Sequence, residues 1–319
     1  MLEELKDRTI VSWGGYQYFG SHQQELEKLV KIDYICADRR YMVATASSYT
    51  VFADRKEILY LKNPYVIISL AKDNEVAEAA EWCRENAIPY THISFLLNGG
   101  AFETQYIKAI GGIYTDLRQN TLQVDAAAQG NIILNTRESR NACLTVGAIR
   151  VSERLYIKAY GSGGVCTIGD GTTMDSVIIN VNSEGLVEIG KDCMFAHAIS
   201  LHQSDQHMIF DMYTGERTNL SRPIRIGNHV WVGRECTILA GADIGDNAVV
   251  GSQAVTSGQF APNTVIAGSP AKVLREHVIW ARDLVKENNG ITQFKECRDQ
   301  KALDYLSEAD QQRLKDSME

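Results

Sequence analysis

Three of the seven histidines crowd into one short stretch, AHAISLHQSDQH, where His197, His202 and His207 follow each other at intervals of five. An imidazole changes charge near neutral pH, so it serves equally as a proton carrier or as a metal ligand. Spacing alone leaves both chemistries open. His207 is set apart by what precedes it. Ile189, Phe195 and Leu201 step by six, His207 takes the next place in that series, and there the aliphatic pattern stops. Residues 207–223 (HMIFDMYTGERTNLSRP) carry no six-residue period, and the pattern resumes at Ile224–Ile226. A polar loop thrown out of a regular scaffold is where binding and catalytic groups tend to concentrate.

The scaffold is legible on the far side of that loop. Across IGNHVWVGRECTILAGADIGDNAVVGSQAV, an Ile or Val recurs at 226, 232, 238, 244 and 250. Four of the five are followed by Gly, and each has a small or β-branched residue four places on: Val230, Cys236, Ala242, Ala248 and Ala254. A period of six fits neither a packed helix nor a half-buried strand. It fits a parallel β-helix in which each hexad forms one flat face and three faces close a coil. The aliphatic residue then points inward onto its equivalent in the next coil, and the small residue fills the corner. Gly after the aliphatic position suits a crowded or bent backbone. Upstream, NIILN, CLTVGAIRV, LYIKAY, VCTIGDG, SVIINVN and LVEIGKDC read as looser coils with insertions.

Residues 8–95 alternate differently. RTIVSWGG, KIDYICAD, PYVIISLA and IPYTHI read as strands, with helix patterns in GSHQQELEKLV and EVAEAAEWCREN between them. Strand, glycine turn, amphipathic helix and strand is the order of a small parallel α/β domain. A glycine-marked connector follows over 96–120, with room for a short helix at 102–110. Two charged helical patterns, EHVIWARDLVKEN and KALDYLSEADQQRLKD, close the chain and are expected to cap the open end of the coil. The organisation is therefore an α/β domain with its connector (1–117), a β-helix (118–275) and a C-terminal helical segment (276–319). A net charge of −8 without a basic run argues against nucleic acid as a partner. No apolar run reaches membrane-spanning length, and the first residues lack the apolar core of a secretion signal. The expected location is the cytoplasm, with peripheral association at the inner membrane allowed. Seven scattered cysteines without CxxC spacing suggest neither a disulfide framework nor a thiolate zinc site. Cys193 and Cys236 fall at corner positions, where a small buried residue is wanted.

The motifs IGNHVWVG (Ile226–Gly233) and AGSPAKVLR (Ala267–Arg275) resemble those of the hexapeptide-repeat acyltransferases, in particular the xenobiotic and galactoside acetyltransferase branch. The segment SDQHMIFDMYTGERTN resembles members that acetylate sugars of bacterial capsules and lipopolysaccharides. The resemblance implies a left-handed β-helix assembled as a homotrimer, with acetyl-CoA as co-substrate and no metal. It implies a sugar O-acetyltransferase acting on a surface polysaccharide or its precursor. In that family the catalytic histidine opens such a loop and a Trp follows 24 residues later, which is the separation of His207 and Trp231 here. By resemblance, then, His207 is the general base and Trp231 shapes the acceptor pocket, with His202 and Asp205 binding the acceptor beside them. Gly233, Gly251, Ser252 and Thr256 would hold the pantetheine arm. Lys272 and Arg275 would meet the phosphates, as cations should. Arg234 stands where relatives carry a small residue.

Two rival chemistries stand beside this one. AHAISLH also resembles part of the zinc site of γ-class carbonic anhydrases, which needs a third imidazole from an earlier coil, yet no histidine lies between His92 and His197. His197 is expected in a turn and His229 at the surface. The N-terminal domain resembles small Rossmann-like modules that precede sugar acyltransferase coils, which keeps an N-acetyltransferase of nucleotide amino sugars in view. A dinucleotide fingerprint would need glycine where Trp13 stands, ahead of Gly14, Gly15 and Gly20. Asp38 ends the second strand at a suitable distance but is followed by Arg39 and Arg40.

Overall fold

The structure is a computed structural model describing residues 2–37, 48–103, 107–108, 111–283 and 290–318. Asp38, Arg39 and Arg40, and most of the helix expected at 102–110, lie outside the described residues; Ala101–Glu103 is a strand. The chain forms two compact units, one of residues 1–126, 132–145 and 158–164, the other of 127–131, 146–157 and 165–319. The fold is mainly β.

The first unit is built on five parallel strands: β1 (Thr9–Trp13), β2 (Tyr34–Cys36), β3 (Thr50–Phe52), β4 (Pro64–Ile68) and β5 (Tyr90–His92). Their order is β3-β2-β1-β4-β5. Tyr65, Val66, Ile67 and Ile68 of β4 are all fully buried, as expected of a strand covered on both faces. Pro64 takes the first position of β4, where a missing N–H does least harm. Helix α1 (Gln17–Glu27) follows β1 and buries Phe19 and Leu26. Helix α2 (Asp73–Glu85) follows β4 and buries Val76, Ala79, Ala80 and Cys83 along one helical stripe. A short helix α3 (Ile93–Leu97) follows β5. The chain leaves β1 toward β2 and β3, then returns to the other side of β1 with β4, so strand order reverses between β1 and β4.

The second unit is a parallel coil with three faces. One face carries Met194–Phe195, Trp231–Val232, Val249–Val250 and Val265–Gly268 in register. A second carries Ile199–His202, Thr237–Leu239 and Val255–Thr256. The third carries Leu186–Ile189, Ile224–Ile226, Asp243–Ile244 and Gln259–Phe260. Arg225 pairs with Asp243, Trp231 with Val249 and Thr237 with Val255, each eighteen places on, which is three hexads per coil. The inward columns are those the hexads predict: Ile189 over Ile226 over Ile244, Phe195 over Val232 over Val250, Leu201 over Ile238. All are buried, as are Val230, Cys236, Ala242, Ala248 and Ala254 at the corners. The residue before each corner lies in the left-handed region: His229, Glu235, Gly241, Asn247 and Gln253, with φ between 51° and 83°. The glycines after the aliphatic positions serve crowding instead. A Cβ on Gly233 would stand 2.7 Å from the Ser252 nitrogen, and one on Gly251 would stand 2.8 Å from the Ala267 Cβ. Upstream the coils are longer, with Val165 paired to Leu186 twenty-one places on and Val177 to Ile199 twenty-two, and the single strand Thr173–Val181 bends through a corner, pairing first with Met194–Phe195 and then with Ile199–His202.

The C-terminal expectation needs correction. Residues 276–283 are not helical, and Lys301–Tyr305 and Glu308–Met318 form a short 3-10 helix and an α-helix. The segment runs along one corner of the coil rather than across its open end. The Val278 N–H donates to Asn263 O, Trp280 Nε1 donates to His229 O at 2.8 Å, and Asn247 Nδ2 donates to Ala302 O. Backbone groups that a helix would satisfy internally are spent on the coil, which lets Trp280 bury its ring there. Among the described residues no helix is long and apolar enough to cross a membrane.

Candidate active site

Between Leu186 and Gly268 the coil is lengthened at one place, and its last turn is two residues shorter, with Asp243 paired to Gln259 and Val249 to Val265. Ser200 pairs with Thr237, thirty-seven places on instead of eighteen, and the surplus leaves the surface after His202. Buried Gln203 closes the base of this excursion: its Oε1 accepts from the Asn182 N–H and its Nε2 donates to Arg222 O. His207 stands exposed just beyond, its N–H donating to Asp205 O at 2.8 Å. Asn219 braces the loop from the opposite limb. Its Nδ2 donates to Asp205 Oδ2 (2.9 Å) and His207 O (2.7 Å), while its Oδ1 accepts from the Ile209 N–H (2.8 Å). Farther out, Phe210 and Arg217 form an antiparallel bridge. At the tip, Asp211 Oδ1 accepts the Thr214 and Tyr213 N–H groups, which hold its carboxyl below the usual range. The loop is thus a small polar-braced hairpin that fixes the backbone of His207 and leaves its ring in solvent.

The structure brings His207 and Asp205 together through Asn219, a residue that nothing in the sequence singles out. The Asp205 carboxylate is occupied by that brace. His202 is half-buried on the neighbouring face, its Nδ1 3.3 Å from Asn180 Nδ2 of the preceding coil. Trp231 lies 39% exposed between Met194 and Val249, with Trp280 tilted against it at 5.9 Å. Of the residues assigned to the pantetheine arm and phosphates, most fall along one line. Gly233 abuts Ser252, Gly251 abuts Ala267, Ala267 pairs with Lys272, and Val265 pairs with Arg275. Lys272 and Arg275 are exposed on the strand Ala271–Arg275, a hairpin return on the last coil. Thr256 departs from that line. Its side chain is fully buried on the second face, beneath Ile238, so only its backbone can serve a ligand outside.

His229 is not a surface residue. It is fully buried, stacked on Trp280 at 4.1 Å, with Nδ1 2.8 Å from Asp192 Oδ2. Asp192 also takes Lys301 at 3.0 Å and Arg282 at 3.3 Å. Burial opposes ionisation of Asp192, but the His229 and Lys301 hydrogen bonds and the Arg282 charge outweigh it, and the carboxyl lies below its ordinary value. His197 sits immediately before a left-handed corner at Ala198, and its Nδ1 lies 3.2 Å from Glu153 Oε2 and 3.7 Å from Asp175 Oδ2. The three, spaced by 22 in sequence, could hold a metal ion geometrically, but all are well exposed to solvent. Cys193 and Cys236 are buried corner residues whose thiols each donate at 3.1 Å to a carbonyl, of Gly227 and Gly251. Burial pushes the Cys193 thiol up to about 12, so it is no nucleophile.

Residues 223–258 match the model of the bacterial transferase hexapeptide (six repeats). This stretch of the chain therefore carries hexapeptide repeats. It is 46% identical over 114 residues to a polysialic acid O-acetyltransferase of Neisseria meningitidis, covering 35% of this chain and 53% of the relative. It is 36% identical over 120 residues to a polysialic acid O-acetyltransferase of Escherichia coli O1:K1, covering 38% of this chain and 39% of the relative. The galactoside O-acetyltransferase of Escherichia coli K12 is 36% identical over 90 residues, covering 28% of this chain and 44% of the relative. The chain spans about half the length, or less, of these curated relatives.

Proposed function

We propose that this protein transfers an acetyl group from acetyl-CoA to a sugar hydroxyl of a bacterial surface polysaccharide or its precursor. The reading is carried by one observation: the excursion between His202 and Ile224 presents an exposed imidazole, His207, on a hydrogen-bonded hairpin. The names of the relatives support the reaction class and a glycan acceptor. In this reading His207 removes the acceptor hydroxyl proton as the oxygen attacks the thioester carbonyl. Backbone N–H groups beside the cleft stabilise the tetrahedral oxyanion. Its collapse breaks the carbon–sulfur bond, and His207 returns the proton to the departing thiolate. In this reading Trp231 offers the acceptor an apolar platform and His202 offers it a polar contact. The lane of Gly233, Gly251 and Ser252 leaves room for a pantetheine arm leading toward Lys272 and Arg275, whose charges suit phosphates. The backbone of Thr256 is its only contribution to the lane.

The same proposal takes the coil as left-handed and the assembly as a cytoplasmic homotrimer with CoA in the groove between protomers. It takes residues 1–117 as a Rossmann-like domain with its connector, 118–275 as the catalytic coil and 276–319 as a strap along it. No metal enters the chemistry. The test is a mass-shift assay with the full chain, acetyl-CoA and a panel of capsular and lipopolysaccharide oligosaccharides. One added acetyl group with stoichiometric release of free CoA is expected. A protein that neither binds CoA nor acetylates any glycan of the panel overturns the reading.

A further inference from the structure

The first unit contains a cavity of about 880 Å³ that the transfer chemistry does not use. It lies where β1 and β4 end, the point at which strand order reverses, and parallel sheets bind ligands outside the carboxyl ends of their strands at such a point. Its volume is that of a small-molecule site. Trp13, Tyr16 and Tyr18 contribute aromatic rings to the wall, and Gln17, Lys72 and Glu75 contribute polar groups. Neither α1 nor α2, which both begin at the rim, has a side-chain cap at its N-terminus.

The wall selects the chemistry of the occupant. A pyrophosphate would need glycine backbone at the end of β1 and surplus positive charge. Trp13 fills the position of that first glycine and is one of the residues that line the cavity, its ring edge-on to Trp82 at 5.3 Å. Gly14, at φ 117°, is already committed to packing: a Cβ there would stand 2.6 Å from Ser69 O. The charges cancel locally, Lys72 with Glu75 at 3.1 Å and Glu78, also on the wall, with Arg55 at 2.8 Å. What remains is three aromatic rings interleaved with amide, hydroxyl and carboxylate groups. A pyranose matches that pattern, because one face of its ring is lined with C–H groups that bury well on an aromatic surface. Its hydroxyls both donate and accept, as the polar groups between the rings require.

We infer that this cavity is a carbohydrate-binding site distinct from the transfer site. Naming its ligand as part of the glycan acceptor rests on the function proposed above; sugar binding itself does not. Holding one end of a polymer on the same chain raises the effective concentration of its other units at the coil. The test is saturation-transfer NMR on the full chain with galactose, N-acetylglucosamine and lactose, and with UDP and NAD as controls. Saturation of sugar ring protons is expected, with affinity reduced about tenfold by Trp13→Ala and less by Gln17→Ala, an exposed position whose change does not threaten the fold. His207→Ala should bind sugar as the parent does. No transfer in the mass-shift assay, with sugar binding intact, ends the acetylation reading alone. Transfer without sugar binding ends this inference alone. Sugar signals of undiminished affinity in both cavity variants, or UDP or NAD bound in place of any sugar, also overturn it.

Discussion

The coil from Ile224 to Gly268 and the excursion that precedes it solve the same problem by opposite means. In the coil, each inward side chain rests on its equivalent one turn away, so shape is held by apolar contact repeated in register. The excursion has no core: Met208, Ile209, Phe210, Met212, Tyr213 and Leu220 are all exposed, Met212 by 84% and Tyr213 by 89%. Its shape comes from polar braces at Gln203, Asn219 and Asp211. Hydrogen bonds are directional where burial is not, so a few of them can fix one backbone position without shielding it from solvent. A proton-transferring imidazole needs that combination.

The contrast can be broken most sharply at His207. His207→Ala should lower kcat roughly 10²- to 10⁴-fold, the span of general-base catalysis. Its thermal unfolding should match the parent, because an exposed ring contributes no burial. Near-normal turnover would remove His207 from the chemistry. The next effect is on stability. Ile238→Ala deletes a buried member of the second column and should cost about 2–5 kcal/mol. The comparable truncation Met212→Ala at the loop tip should stay within about ±0.5 kcal/mol. Denaturant titration of both variants measures the difference, and equal losses would mean that the loop has a packed core after all.

The smallest effect concerns two depressed carboxylates, Asp192 on the coil before the excursion and Asp211 at the excursion's tip. Asp192 holds the C-terminal strap, whereas Asp211 turns the exposed loop tip. The folded value of Asp192 lies below that of an unfolded aspartate, so its stabilisation is complete above about pH 3.9. It is lost as pH falls through the lower folded value. Fluorescence of Trp280, stacked on the histidine that Asp192 holds, should report loosening of the strap in that acid range. Asp192→Asn should flatten the response, and Asp211→Asn should leave it unchanged.

What the sequence disclosed follows the same division. The hexads at 226–254 announced faces, inward columns and corners because every coil repeats one local environment. Ile189, Phe195 and Leu201 even marked where the pattern would fail at His207. The braces were illegible, since a lone Asn219 in a polar loop looks like any solvated residue until its three partners are in place. His229 departs from its expected surface position for a related reason. Its hexad position is usually outward, and here a tertiary partner, the irregular segment around Trp280, covers it. Residues 276–283 showed helical periodicity but lie as an irregular strap, local preference yielding to what the coil's edge could bond. Thr256 carried the motif's spacing without its exposure.

The step of eighteen that links Arg225 to Asp243, Trp231 to Val249 and Thr237 to Val255 has a bearing on how such molecules change length. A duplication or loss of one complete circuit leaves every later side chain pointing where it did before. A gain of any other size must be ejected sideways as a bulge. The hairpin bearing His207 is such an ejected surplus, and new chemistry on this scaffold has a natural point of entry at each of its corners.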